Sequence, residues 1–136
     1  MTAPRQLSLA VVGAAHPNKR GPTRRFEISV SHPGEPVELR PEPKNPADEN
    51  AVAVFSCRDV QLGYITAERA PWIGGMINQG REVRAIFQWA TTYGAVIRIA
   101  FDGEQPSIEG LRKPLSEGGS QLPDQEFYPD PEWPDD

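Results

Sequence analysis

The sequence lacks the residues that disulfides and structural zinc sites require. Cys57 is the only cysteine among the 136 residues, so an internal disulfide is excluded. His16 and His32 are the only histidines, which leaves too few ligands for the usual zinc site of cysteines and histidines. We therefore expect neither a structural metal nor any other cofactor.

Long apolar stretches are also missing. No apolar run approaches the ~20 residues that cross a bilayer, and residues 1–5 do not begin a secretory signal. These two absences predict a cytoplasmic protein that has no membrane partner. The apolar fraction of 38% is low for a globular chain, while 15 prolines and 12 glycines indicate many turns, a disordered segment or both.

The net charge of −5 conceals two unlike parts of the chain. Residues 1–102 carry ten acidic and twelve basic side chains, whereas residues 103–136 carry nine acidic and two basic ones. The second part also holds six prolines, and its scattered apolar residues cannot bury enough surface to offset chain entropy. We therefore predict one domain, residues 1–102, followed by an acidic, proline-rich flexible tail, residues 103–136.

Several short segments of the domain show the two-residue alternation of half-buried β-strands. Turn-forming residues separate them, as in residues 16–23, and residues 91–94 join the last two segments as a hairpin. Phe87 and Trp89 fall on one face of their segment, so both are predicted to lie in the core. The predicted strands comprise residues 6–11, 26–30, 37–39, 51–55, 60–65, 83–89 and 95–101.

One helix is predicted between the fifth and sixth strands. Ala70, Ile73, Met76 and Ile77 recur there at helical spacing, and Gly80 ends the run. About seven short strands in a domain of this size must curl or close to remove their exposed edges. The predicted fold is mostly β, a small OB-like or curled antiparallel β-barrel with one short helix.

A long motif follows the third predicted strand and runs into the fourth. It reads Arg-Pro-Glu-Pro-Lys-Asn-Pro-Ala-Asp-Glu-Asn-Ala-Val-Ala-Val over residues 40–54, and Leu-Gly-Tyr-Ile follows at residues 62–65 before the predicted helix. Together with Val12 and Gly13 at the end of the first strand, these segments resemble the signature of the HIRAN domain family. The resemblance covers roughly residues 7–102, and the loop motif is long and unusual enough to be specific.

The resemblance implies an OB-like β-barrel that binds single-stranded DNA, in the best-understood members at a free 3′ end. HIRAN domains occur alone or fused to helicase or nuclease modules, which implies a setting in DNA repair or replication restart and a helicase or nuclease partner. Nothing else in the chain resembles a motor or a nuclease, so we predict a non-catalytic nucleic-acid-binding module. RNA as the ligand and the oligomeric state stay open.

The loop motif supplies polar groups suited to a nucleic-acid end. A carboxylate such as Asp48 can accept a hydrogen bond from the hydroxyl group that marks a 3′ end, while the Asn45 amide bonds to a base or a sugar. The alternative is that Asp48 and Asn50 bond to the backbone and hold the turn, which is the favoured interpretation for Asn50. Pro46 stiffens the loop, and Gly63 indicates a bulge or a close backbone approach in the following strand.

Cationic and aromatic side chains near the loop are candidates for phosphate contacts and base stacking. End-binding members of the family tend to have an arginine and a tyrosine after the strand-one glycine and a tyrosine before the aspartate, where this chain has Ala15, His16 and Ala47. His16 can still stack on a base or touch a phosphate. The candidate cations form one basic rim if their loops lie together and are otherwise solvated. They are Lys19, Arg20, Arg24, Arg25 and Lys44, and the candidate stacking residues are Tyr64 and Tyr93.

Two other functions stay open. Glu42, Asp48 and Glu49 beside Lys44 could hold Mg²⁺ for a nuclease, although the three acids lie in one loop. A protein-interaction adaptor that recruits a helicase or a nuclease needs no nucleic-acid contact. Clustering of the cations around Tyr64 would favour nucleic-acid binding, and their dispersal over different faces would favour the adaptor.

Overall fold

The chain folds into a closed antiparallel β-barrel. A computed structural model describes residues 6–111. Six strands close the barrel in the order β1-β4-β3-β2-β5-β6, so no strand keeps an unpaired edge along its whole length. The strands are β1 Gln6–Val12, β2 Pro36–Pro41, β3 Val52–Phe55, β4 Gln61–Ile65, β5 Val83–Ala90 and β6 Ala95–Phe101, and the helices are α1 Arg24–Val30 and α2 Ala70–Asn78.

The mostly β fold and its small barrel are therefore confirmed. β3 lies deep in the fold, because Val52, Ala53 and Val54 are each fully buried. The hairpin between β5 and β6 is also confirmed, since Thr91 and Gly94 close it with a backbone hydrogen bond of 2.9 Å. Within residues 6–111, no helix is long and apolar enough to cross a membrane.

The strand predicted at residues 26–30 is wrong, because this segment is part of α1. Thr23 caps the helix, and its hydroxyl accepts a hydrogen bond of 3.0 Å from the Phe26 backbone amide. The buried face is formed by Arg24, Glu27 and Ile28, which have helical spacing, while Phe26 is 56% exposed. Two of these three buried residues are charged. The spacing of apolar residues alone therefore does not indicate a helix here. Residues 6–111 thus contain two helices and six strands.

A buried carboxylate fixes α1 against the turn between β3 and β4. Glu27 is 2% exposed, and its Oε2 accepts hydrogen bonds from the Ser56 hydroxyl at 2.7 Å and from Arg58 Nε at 2.6 Å. Arg58 also donates to both carboxylate oxygens of Glu35, at 3.1 and 3.3 Å. Hydrogen bonds to Glu35 and then to Glu27 raise the pKa of Arg58. The α1 helix is therefore held by a network in which Glu27 is the shared acceptor.

We expect Glu27→Ala to lower the free energy of unfolding by about 2 kcal/mol, because it leaves the buried Ser56 hydroxyl without its acceptor. Urea denaturation followed by circular dichroism measures the change. Glu38→Ala is the matched control, since Glu38 forms an exposed pair with Arg40 that contributes about 0.5 kcal/mol or less. Equal losses in the two variants would contradict a special role for the Glu27 network.

A β-bulge in β5 overturns the prediction that Phe87 and Trp89 share a face. Phe87 pairs with Ile97 and Trp89 pairs with Val96, so the register shifts by one residue between them. Phe87 is 2% exposed and lies in the main core. Trp89 instead packs with Val96 in a second, smaller cluster. A single inserted residue reverses the direction of every following side chain, which alternation in the sequence does not reveal.

Two glycines let neighbouring backbones approach the end of β1. A Cβ atom at Gly63 would lie 2.3 Å from the Val12 carbonyl oxygen, and one at Gly94 would lie 2.1 Å from the Val11 carbonyl oxygen. Both distances are shorter than real carbon–oxygen contacts, so a larger residue would push the strands apart. Gly63 was predicted to mark a bulge or a close backbone approach, and its backbone does lie close to that of Val12.

The predicted flexible tail, residues 103–136, lies mostly outside the described residues. Its first part, residues 103–111, contains no helix or strand. The Gln6 side chain donates to the Gln105 carbonyl at 3.0 Å and accepts from the Ser107 amide at 2.9 Å. This first part is therefore hydrogen-bonded to the start of β1.

Candidate nucleic-acid interface

An open groove runs along the hairpin formed by β3 and β4. Its volume is about 1040 Å³. One wall is the loop between β1 and α1, and another is the loop between β2 and β3 that carries the long sequence motif. Phe55, Gln61 and Tyr64 line it from the hairpin itself. The groove is therefore built by segments that are distant in the sequence.

Three exposed cations line the groove. Lys19 and Arg20 come from the first loop and Lys44 from the second. Among residues 6–111, the structure shows no ion pair or hydrogen bond for these three side chains. Two acids also line the groove, but Asp59 is already paired with Arg40, which covers the Phe55 ring at 3.7 Å. Lys19, Arg20 and Lys44 thus outnumber Glu42, the other acid in the groove lining, and a concave surface with an excess of cations concentrates anions.

The first loop is held in place by Asn18 and Arg24. The Asn18 amide donates to the Gln61 carbonyl at 3.2 Å, which ties the loop to β4. Arg24 is 7% exposed, donates from Nε to Asn18 Oδ1 at 2.8 Å, and donates from Nη1 to the Gly13 carbonyl at 2.9 Å. Its guanidinium also lies 5.6 Å from the centre of the Tyr64 ring. Arg24 is therefore an internal support of the groove rather than part of its exposed rim.

Tyr64, Glu42 and Asn45 form a polar network at the groove surface. The Tyr64 hydroxyl donates to Glu42 Oε1 at 2.8 Å, and the Asn45 amide donates to the same oxygen at 2.9 Å. Burial raises the pKa of the Tyr64 hydroxyl above its usual value, and the hydrogen bond to Glu42 acts in the same direction. The hydroxyl therefore stays protonated at neutral pH, and Glu42 has one oxygen fully occupied.

The remaining polar groups of the motif hold its turn. Asn45 Oδ1 accepts from the backbone amides of Ala47 at 2.8 Å and Asp48 at 3.2 Å. Asp48 Oδ1 accepts a hydrogen bond of 2.8 Å from the Asn50 backbone amide. This oxygen therefore holds the turn, as the alternative interpretation of Asp48 predicted. Pro46 lines the groove, whereas neither Asp48 nor Asn50 does. The motif thus uses much of its hydrogen-bonding capacity to fix its own shape.

Four of the proposed contact residues lie outside the groove lining, namely Asp48, His16, Arg25 and Tyr93. His16 is half-buried, and its backbone amide donates to the Gly13 carbonyl at 3.1 Å. Arg25 Nη1 lies 3.5 Å from the Thr92 carbonyl, and Tyr93 is 49% exposed in the same β5–β6 hairpin. The structure therefore brings Lys19, Arg20, Lys44 and Tyr64 together, and it places Arg25 and Tyr93 in a separate group.

Sequence reasoning missed Asn18, Gln61 and Phe55 as groove residues. Asn18 lies in a stretch rich in turn formers, where nothing indicates that its amide would reach another strand. Phe55 was assigned only to a buried strand. Within residues 6–111, no three acids, histidines or cysteines are close enough to hold a metal ion, so the magnesium site proposed around Glu42 gains no support.

The fold and the groove define the class of the protein, a small β-barrel domain with an open cationic binding surface. The model of the HIRAN domain family matches residues 8–92, and the chain belongs to this family. No curated protein matches the sequence.

Solved structures are similar to the chain in fold. The crystal structure of the HIRAN domain of human HLTF is 20% identical, with a TM-score of 0.58, over 71% of this chain and 74% of that one. A Lactobacillus plantarum protein from structural genomics is 20% identical, with a TM-score of 0.55, over 68% and 91% of the two chains. The NMR structure of the HLTF HIRAN domain in its DNA-bound conformation is 17% identical, with a TM-score of 0.52, over 90% and 84%.

Proposed function

We propose that the chain is a non-catalytic nucleic-acid-binding module that holds single-stranded DNA in the groove along β3 and β4. The observation that carries this proposal is the convergence of Lys19, Arg20 and Lys44 around Tyr64. Membership of the HIRAN family supports it, because the HLTF member has a DNA-bound conformation. Dispersal of the cations would favour an adaptor; Arg25 does lie apart, but Lys19, Arg20 and Lys44 line one groove with Tyr64.

The groove suits a single strand for two physical reasons. Exposed lysine and arginine side chains neutralise phosphates and release counterions, which favours binding at low salt. A base can stack on the half-buried tyrosine ring. Such stacking contributes about 1–3 kcal/mol of binding free energy per base when the ring face is fully covered. Asn18 and Arg24 fix the first loop against β4, so little ordering is needed when the ligand binds.

The test is fluorescence anisotropy of a labelled single-stranded oligonucleotide titrated with the protein across a salt series. Three phosphate contacts predict a slope of about −2 in the logarithm of affinity against the logarithm of salt concentration. An RNA strand of equal sequence shows whether the ligand is restricted to DNA. Absence of binding at low salt would contradict the proposal.

We expect nearly equal affinity for DNA with a free 3′ hydroxyl and for DNA with a phosphate on its 3′ end, with a difference below about threefold. Asp48 already accepts the Asn50 amide, and Ala15 and Ala47 stand where end-binding members have an arginine and a tyrosine. His16, at the other tyrosine position, is half-buried and lies outside the groove lining. The same anisotropy assay on the two oligonucleotides measures the ratio. A strong preference for the free hydroxyl would show that Asp48 reads the end despite its backbone bond.

We also propose a setting in DNA repair or replication restart with a helicase or nuclease partner, since domains of this kind occur beside such modules. An adaptor function without DNA is the second candidate. It is supported by Trp72 on α2, which is 44% exposed and lies beneath the Arg69 guanidinium at 5.9 Å. Loss of partner binding in Trp72→Ala with DNA affinity intact would assign recruitment to this helix.

A further inference from the structure

The groove combines a cationic rim with one acidic side chain whose two oxygens differ in their contacts. Glu42 Oε1 accepts from both the Tyr64 hydroxyl and the Asn45 amide. Among the described residues, no hydrogen bond to Glu42 Oε2 is seen. Glu42 lines the groove, so its carboxylate is part of the surface that a ligand meets. The site therefore offers cations for phosphates and one hydrogen-bond acceptor beside them.

A carboxylate in a site that binds polyanions influences which base is bound. It repels phosphates and base carbonyls, and it accepts hydrogen bonds from exocyclic amino groups. Cytosine presents such an amino group on its pairing edge. Thymine presents a single N–H flanked by two carbonyl oxygens, which the carboxylate repels. In a single strand this edge is free to be read.

We propose that Glu42 Oε2 accepts a hydrogen bond from the amino group of a base in the groove, so that the domain prefers cytosine over thymine. The inference rests on the proposed binding of single-stranded DNA in the same groove. Tyr64 and Asn45 are positioning residues for this contact, because their hydrogen bonds hold Oε1 and leave Oε2 for the ligand.

The first experiment compares short oligo(dC) and oligo(dT) strands of equal length in the anisotropy assay at neutral pH. Both bases are pyrimidines, so the comparison changes the pairing edge while the number of phosphates stays the same. A charge-assisted hydrogen bond predicts binding about tenfold tighter for oligo(dC). Equal affinities would overturn the base preference and leave DNA binding intact, whereas failure to bind either strand would overturn both proposals.

The second experiment uses Glu42→Gln. The amide oxygen can take the place of Oε1 and satisfy Tyr64 and Asn45, which leaves the amide nitrogen, a donor, in the place of Oε2. Oligo(dT) should then bind at least as tightly as oligo(dC), because thymine carbonyls accept from that nitrogen. Glu38→Gln is the matched control, since Glu38 is exposed, does not line the groove and should keep the wild-type ratio.

Thermal unfolding monitored by circular dichroism shows that each variant is folded before its ratio is interpreted. A ratio unchanged in Glu42→Gln would assign any base preference to another residue and overturn the proposal. A ratio that reverses only in this variant would support it.

Discussion

Gly63→Ala is expected to lower the free energy of unfolding by about 3 kcal/mol or more. The added methyl group would lie 2.3 Å from the Val12 carbonyl oxygen, and this backbone atom cannot turn aside as the end of a side chain can. The Gly63 φ of +156° is also unfavourable for a residue with a side chain. Relief of the clash requires β4 to move away from β1, which opens the barrel. Urea denaturation followed by tryptophan fluorescence measures the loss.

Gly75→Ala is the matched control for this substitution. Gly75 lies inside α2, and a Cβ atom there meets nothing within 4 Å. The change should stabilise the protein by about 0.5–1 kcal/mol, because alanine loses less backbone freedom on folding. Full stability of Gly63→Ala beside this control would contradict the close approach of β4 to β1.

Reversal of the three rim charges should weaken binding of single-stranded DNA about 100-fold or more at low salt. Lys19→Glu, Arg20→Glu and Lys44→Glu together remove each cation from the rim and place an anion beside the phosphates. The estimate assigns about 1 kcal/mol to each lost phosphate contact. All three residues are exposed and form no described contact, so the fold should remain intact. Anisotropy across a salt series measures the affinity and its slope, which should fall toward zero.

A second triple variant separates local contacts from the total charge of the protein. Arg69→Glu, Arg81→Glu and Arg84→Glu change the net charge by the same amount, but these exposed residues do not line the groove. Arg81 and Arg84 form exposed pairs with Asp102 and Glu82, and Arg69 lies over the Trp72 ring, so we expect only a small effect on stability. If both triple variants lost the same affinity, the rim would have no special part in binding.

The sequence predicted the barrel because alternation is a local signal and the barrel strands are short and regular. Whether the motif loop and the first loop lie together was left open by the sequence, and in the structure Lys19, Arg20 and Lys44 line the same groove. One of the two open interpretations gave Asp48 a bond to the backbone, which its Oδ1 makes. The similar bonds of Asn45 were not predicted, since its amide was assigned to reading a base or a sugar. Such bonds between a side chain and a backbone amide two or three residues away can be anticipated from the chain alone.

Other features depend on contacts between distant residues. The burial of Arg24 requires the Gly13 carbonyl and the Asn18 side chain to converge on it, so its sequence neighbours suggested an exposed cation, either in a basic rim or solvated. Helix α1 looked like a strand because its buried face includes Glu27, whose carboxylate is satisfied by Ser56 and Arg58 from another element. The bulge between Phe87 and Trp89 arises from pairing with β6. In each of these three cases, tertiary contacts overrode the structure that the local sequence pattern indicates.

The most direct test of the DNA-binding groove is a map of backbone amide chemical shifts in isotope-labelled protein titrated with a short single strand. We predict the largest changes at residues 18–22, 42–46 and 61–64, the segments that form the groove along β3 and β4. Amides of α2 around Trp72 should move little. Large changes confined to α2, with the chemical shifts of the groove amides unchanged, would contradict the account and place the ligand on the α2 surface around Trp72.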